Sequence, residues 1–104
     1  AFAHKRISFD YDDTLTTAKG QDMARRFLAA NDEIFIITAR TQSNGGPVYA
    51  MAEKLGIKKE NVYFTAGKHK YMLVNRLRIN KHIDNNTEEL QLITENTEAE
   101  AIKI

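Results

Sequence analysis

The chain contains no cysteine, so disulfides, thiolate metal sites and cysteine nucleophiles are excluded, and a reducing, cytoplasmic setting is the expectation. Tryptophan is also absent and proline occurs once, at position 47. No apolar run approaches the ~20 residues of a membrane span, and no signal peptide precedes the first apolar segment. Charge of one sign is missing too. The net value is +1, which offers neither a membrane surface nor a nucleic acid a strong electrostatic footprint. What remains is 104 residues, 42% hydrophobic and 28% charged, the balance of one globular domain with one core. We read residues 1–104 as that domain. Residues 1–4, which lack an initiator Met, are read as a disordered or cloning-derived start.

The most informative stretch is Ile7-Ser8-Phe9-Asp10-Tyr11-Asp12-Asp13-Thr14-Leu15-Thr16. Ile7 and Phe9 alternate with Ser8, the pattern of a strand with a buried face, and the strand breaks into carboxylates. In parallel sheets ligands bind just beyond the carboxyl ends of the strands. Placing Asp10, Asp12 and Asp13 together is costly, because like charges repel in a half-buried mouth. A divalent cation removes that cost, and an oxygen-rich site suits Mg²⁺. The alternative is an Asx-rich turn with no ligand.

Further along, Gln21 to Ala30 has helical spacing with Met23, Ala24, Phe27 and Leu28 inward, and Asn31 suits a left-handed stop. Ile34-Phe35-Ile36-Ile37 reads as a strand buried on both faces, ending at Thr38-Ala39-Arg40. After the polar loop Thr41 to Gly46, Pro47 opens a helix that Gly56 stops. Asn61 to Thr65 is a third strand, and Lys68 to about Arg78 a third helix with Met72, Leu73 and Leu77 inward. His82-Ile83-Asp84 is a fourth strand. Asn86 or Thr87 caps a helix through Leu92, and Ala99 to Ile104 is an edge strand. This alternation predicts a Rossmann-like three-layer α/β domain, with a five-stranded, mainly parallel sheet flanked by helices and the first strand central.

In such a sheet Asp10 and Asp12, Thr38, Lys68 or Lys70, and Asp84 with Asn85 share one edge. Carboxylates there can hold a metal or attack phosphorus, and a hydroxyl and an ammonium can hold phosphate oxygens. His4, His69 and His82 lack zinc spacing and read as incidental.

In the order of these motifs the chain resembles the haloacid dehalogenase-like (HAD) superfamily. Asp10-Tyr11-Asp12-Asp13-Thr14-Leu15-Thr16 matches the first motif, the apolar strand ending at Thr38 the second, Lys70 (Lys68 as alternative) the third, and His82-Ile83-Asp84-Asn85 the fourth. The resemblance covers residues 5 to about 93. It implies a Mg²⁺-dependent hydrolase, a phosphatase of phosphomonoesters working through an aspartyl-phosphate on Asp10, with Asp12 as general acid and base. Thr38 and Arg40 would touch the substrate and the lysine would offset charge. Asp10, the backbone carbonyl of Asp12, Asp84 and, through water, Asn85 would hold the metal.

Two features depart from the family pattern. Asn85 stands where a second acid is usual, and no gap has room for a cap domain. An open site would take a nucleotide, a small metabolite or a macromolecular phosphate, or be closed by a homo-oligomer. The rivals are a catalytically weak or silent binding domain and a receiver-like phospho-signalling domain. The latter is disfavoured because Val62-Tyr63-Phe64-Thr65 carries no aspartate to accept a phosphoryl group.

Overall fold

Alternation along Arg6–Phe9 (β1) and the unbroken apolar run within Glu33–Thr38 (β2) make two adjacent strands of a five-stranded sheet. The computed structural model describes residues 4–104. Of the four-residue start read from the sequence, residues 1–3 lie outside the described residues. His4 lies within them, with Nδ1 2.7 Å from the Asn31 carbonyl oxygen. Val62–Phe64 (β3), Lys81–Asp84 (β4) and Glu100–Lys103 (β5) complete the sheet. The order is β3-β2-β1-β4-β5 and every neighbouring pair is parallel. β1 is therefore central, as expected. A receiver-like domain has the flavodoxin-like order 2-1-3-4-5, so the topology turns away from that rival.

Helices Ala18–Ala29 (α1) and Gly46–Leu55 (α2) cover one face of the sheet. Their side chains pack on Ile7, Phe9, Ile34, Ile36 and Ile83. Tyr71–Arg76 (α3) and Thr87–Asn96 (α4) cover the other face, where their Val74 and Ile93 cluster with Phe35, Ile37 and Ile79. Residues 34–37 are at most 2% exposed, so both faces of β2 lie in core, and each such side chain contributes roughly 1.5–3 kcal/mol. The chain winds from β1 to β3 with helices on one face, then crosses back to β4 with helices on the other. The direction reverses between β1 and β4, and that is the crevice where doubly wound sheets take ligands.

Local signals account for most boundaries. The Thr17 hydroxyl accepts the Gly20 N–H and starts α1 earlier than the apolar spacing indicated. Asn31 (φ 66°) and Gly56 (φ 83°) end α1 and α2 in left-handed geometry. Asn86 caps α4 by accepting the Glu89 N–H. The expected helix from Lys68 is corrected: α3 begins at Tyr71. Ala66 (φ 53°) and Gly67 (φ 84°) form a turn instead, which the Thr65 hydroxyl closes by donating to the Lys68 carbonyl at 2.7 Å. With Lys70 and Val74 one turn apart on the inner face, Met72 faces out, 63% exposed, rather than inward. No described helix is long and apolar enough to cross a membrane.

Candidate functional site

Side chains two apart on a strand share a face. Ser8 and Asp10 of the first strand therefore lie beside His82 and Asp84 of the fourth, in the register Ser8↔His82, on the face covered by α3 and α4. The Asp10 N–H continues the ladder by donating to the Ile83 carbonyl at 2.9 Å, which brings the two strand ends together. Lys70, at the mouth of α3, sends its ammonium between them. Nζ donates to Asp10 Oδ1 at 2.7 Å and to Asp84 Oδ2 at 2.9 Å. Glu89 holds the lysine backbone by accepting its N–H at 3.0 Å, and its other oxygen lies 2.7 Å from His69 Nδ1.

The polar chain continues inward. His82 Nε2 is 2.9 Å from Asp84 Oδ2, and Nδ1 is 2.6 Å from the Ser8 hydroxyl. With the proton on Nε2, His82 donates to the carboxylate and accepts from Ser8. Ser8, His82 and Asp84 line up in the order of a hydrolytic triad, but Ser8 has no exposed surface and cannot meet a substrate. Sequence reading missed His82. Its signal was the strand alternation that puts it beside Ser8 and two residues before Asp84, not any metal spacing.

The electrostatics follow from burial and from this pairing. Burial drives the Asp10 carboxyl up and the nearby Asp84 charge adds to it; Lys70 offsets only part, so the group is pushed up to about 6. Burial acts the same way on Asp84, but the His82 hydrogen bond and the Lys70 charge outweigh it and hold Asp84 well below the usual carboxylate range. Burial works against the Lys70 charge, and the two aspartates overcome it, raising its pKa. Burial also pushes His82 down, towards the neutral ring.

Asp12 belongs to a different cluster. Arg40 Nε donates to Asp12 Oδ2 at 3.0 Å and Nη2 to Oδ1 at 2.8 Å, a two-pronged ion pair joining the loops after β1 and β2. Those hydrogen bonds lower the Asp12 pKa and raise that of Arg40. The guanidinium also donates through Nη1 to the Asn44 carbonyl at 3.1 Å and lies 5.0 Å from the centre of the Tyr11 ring. Thr38 is buried, and its hydroxyl accepts the Arg40 backbone N–H at 3.2 Å, so it shapes the loop that carries Arg40. Asp13 sits at φ 59° in the turn, its N–H donating to the Thr16 hydroxyl. Lys68 is exposed on the Thr65 turn, while Lys70 is 3% exposed inside the site.

The residues expected to hold Mg²⁺ do not fit it. Among the described residues no group of three or more His, Cys, Asp or Glu side chains is arranged to hold a metal ion. Asp10 and Asp84 face each other across the Lys70 ammonium, which already supplies the positive charge their proximity calls for. Asn85 fills the remaining position. With its amide nitrogen turned inward, its two hydrogens are shared among Asp10 Oδ2 at 3.1 Å, Asp84 Oδ1 at 3.3 Å and the Asp12 carbonyl at 3.3 Å. Those oxygens, read from the sequence as metal ligands, accept hydrogen bonds from the protein itself. The Mg²⁺ expectation is corrected accordingly.

Concavities of about 370, 580 and 440 Å³ lie away from this edge, beside Asn31 and Ile57, along the outside of α2, and between Asn75 and Thr97.

No family model matches the chain. No curated protein matches it either. Among solved structures it is similar to a universal stress protein in complex with cAMP, at 13% identity and a TM-score of 0.60, over 99% of this chain and 98% of that one. At that identity the likeness carries the fold, and the fold is the doubly wound α/β sheet described above. The comparison overturns the haloacid dehalogenase-like assignment drawn from the Asp10–Thr16 motif, and with it the Mg²⁺-dependent hydrolase, the aspartyl-phosphate on Asp10 and the acid–base role of Asp12: the whole-length structural likeness is to a fold seen with cAMP, and no family model supports the phosphatase reading.

Proposed function

We propose that this chain is a binding domain, without catalytic turnover, for a phosphate-bearing ligand of the nucleotide class. The observation that carries this reading is the cluster of polar side chains at the carboxyl ends of β1, β2 and β4. It lies at the reversal of strand order, where doubly wound sheets place nucleotides, and it gathers acceptors and donors of the right kinds. In this reading Arg40 takes the phosphate, as a planar fork suited to paired oxygens. Asp10 and Asn85, engaged with Lys70 and with each other, form the polar floor beside it. Lys70 and Asp84 are held in place by each other, and they keep Asp10 oriented. Thr38 holds the Arg40 loop. The solved structure with the same fold was determined with cAMP, which supports the same ligand class.

Titration calorimetry with cAMP, AMP and ATP tests the reading, with ribose 5-phosphate and inorganic phosphate as controls. Saturable binding of at least one nucleotide, weakened about tenfold or more in Arg40→Gln, is expected; loss of one charged hydrogen-bonding partner accounts for that factor. Absence of binding by all three nucleotides would contradict it.

A further inference from the structure

Arg40 is already engaged. Asp12 occupies both prongs of its fork, at 3.0 and 2.8 Å, in the arrangement a phosphate would adopt on the same nitrogens. The pair is not a buried structural strut: the side chains are 31% and 52% exposed. Each partner stands on a separate loop, one after the first strand and one after the second, so the contact bridges the carboxyl ends of β1 and β2, on the side of β1 away from β4. Arg40 is supported independently of Asp12 by the Asn44 carbonyl and the Tyr11 ring, so it would keep its position if Asp12 left.

We infer that Asp12 is an internal competitor: its carboxylate stands in for the ligand's phosphate on Arg40, and the ligand enters by displacing it. This rests on the nucleotide-binding reading above and specifies how that site is regulated. An exposed ion pair is weak, so a dianionic phosphate can outcompete it. The carboxylate also repels an incoming anion until it swings away. The exchange needs only side-chain rotation, because Asp12 is free on its solvent side. Its consequence is selectivity by charge. A neutral nucleoside cannot release the contact, whereas a phosphorylated one can.

The test uses the full chain, with AMP, adenosine and inorganic phosphate as probes, at low ionic strength where such a pair is least screened. Asp12→Asn removes the competing charge, and Asp12→Ser removes most of the side chain as well. Both should bind AMP about tenfold more tightly than the parent. Adenosine affinity should stay unchanged. Arg40→Gln and the double variant Asp12→Asn/Arg40→Gln should bind AMP with the same weakened affinity, since the competitor has nothing left to compete for. In the parent, the Arg40 Nε–H resonance should move on adding AMP, towards its position in AMP-saturated Asp12→Asn. Binding of AMP by the parent with equal or weaker binding in both Asp12 variants would overturn this inference alone. Absence of AMP binding in the parent and in every variant would overturn this inference, and absence of cAMP and ATP binding as well would overturn the nucleotide-binding reading with it.

Discussion

Lys70 Nζ lies 2.7 Å from Asp10 and 2.9 Å from Asp84, so one ammonium ties together the carboxyl ends of β1 and β4, the two strands between which the sheet reverses direction. Removing it leaves two buried carboxylates facing each other without a counter-charge. Lys70→Met should lower stability by about 3–5 kcal/mol, the usual penalty for breaking a buried pair from one side. Adding Asp10→Asn should recover part of that loss, because only one buried charge then remains. Urea unfolding of the two single variants and the double variant measures the coupling; strictly additive effects would mean that the contact contributes nothing.

Asp10 and Asp84 pull stability in opposite directions with pH. Asp10 is raised from 3.8 to about 6, so its contribution is fully present below 3.8 and is lost as pH rises through about 6. Asp84 is depressed, so its contribution is present above 3.8 and is lost as pH falls below that value. These two groups together place the stability maximum near pH 4, with stability falling as pH rises from there to about 6. Asp10→Asn removes the first term. The variant should equal or exceed the parent at pH 7, by about 1–3 kcal/mol, and the advantage should fade towards pH 4. Unfolding free energies of both proteins across pH 4–8 check the sign. A variant least stable relative to the parent at pH 7 would contradict the raised Asp10.

Gly20 matters for space rather than for backbone freedom. A β-carbon there would lie 1.9 Å from the Thr14 carbonyl oxygen, so the first turn of α1 sits directly against the loop that carries Asp10 to Thr14. Gly20→Ala should destabilise by about 1–3 kcal/mol through overpacking and shift the loop. Thermal unfolding together with AMP titration checks this. An unchanged melting temperature with unchanged affinity would show that the loop yields without consequence.

The layered fold was legible because its signals are local. The apolar run Ile34–Ile37 could only be a strand buried on both faces, and Asn31, Pro47 and Gly56 each mark a helix end by their own backbone preference. The start of α3 was less legible, since Ala66 in a left-handed turn has no sequence signature and the Lys68–Lys70 segment looks helical in composition. The site was half legible. The strand ends that meet were identifiable from order alone, but a row of aspartates reads the same whether a metal, an arginine or a lysine neutralises it. That Lys70 reaches Asp10 and Asp84 and that Arg40 closes on Asp12 are facts of three-dimensional placement, and the functional reading turned on them. His82 was overlooked because only metal spacing was asked of it. Its place in the polar chain follows from strand alternation beside Ser8.

The central claim is that this sheet edge holds a nucleotide and leaves it intact, and phosphorus NMR of AMP with the 104-residue chain tests both halves in one sample. The account predicts that the AMP phosphorus signal shifts or broadens in proportion to added protein, returns when excess cAMP or ATP competes, and gives way to no inorganic phosphate over many hours at pH 7, with or without Mg²⁺. Signals of AMP, cAMP and ATP all unmoved by the protein, or a growing inorganic phosphate peak that Asp10→Asn abolishes, would contradict it.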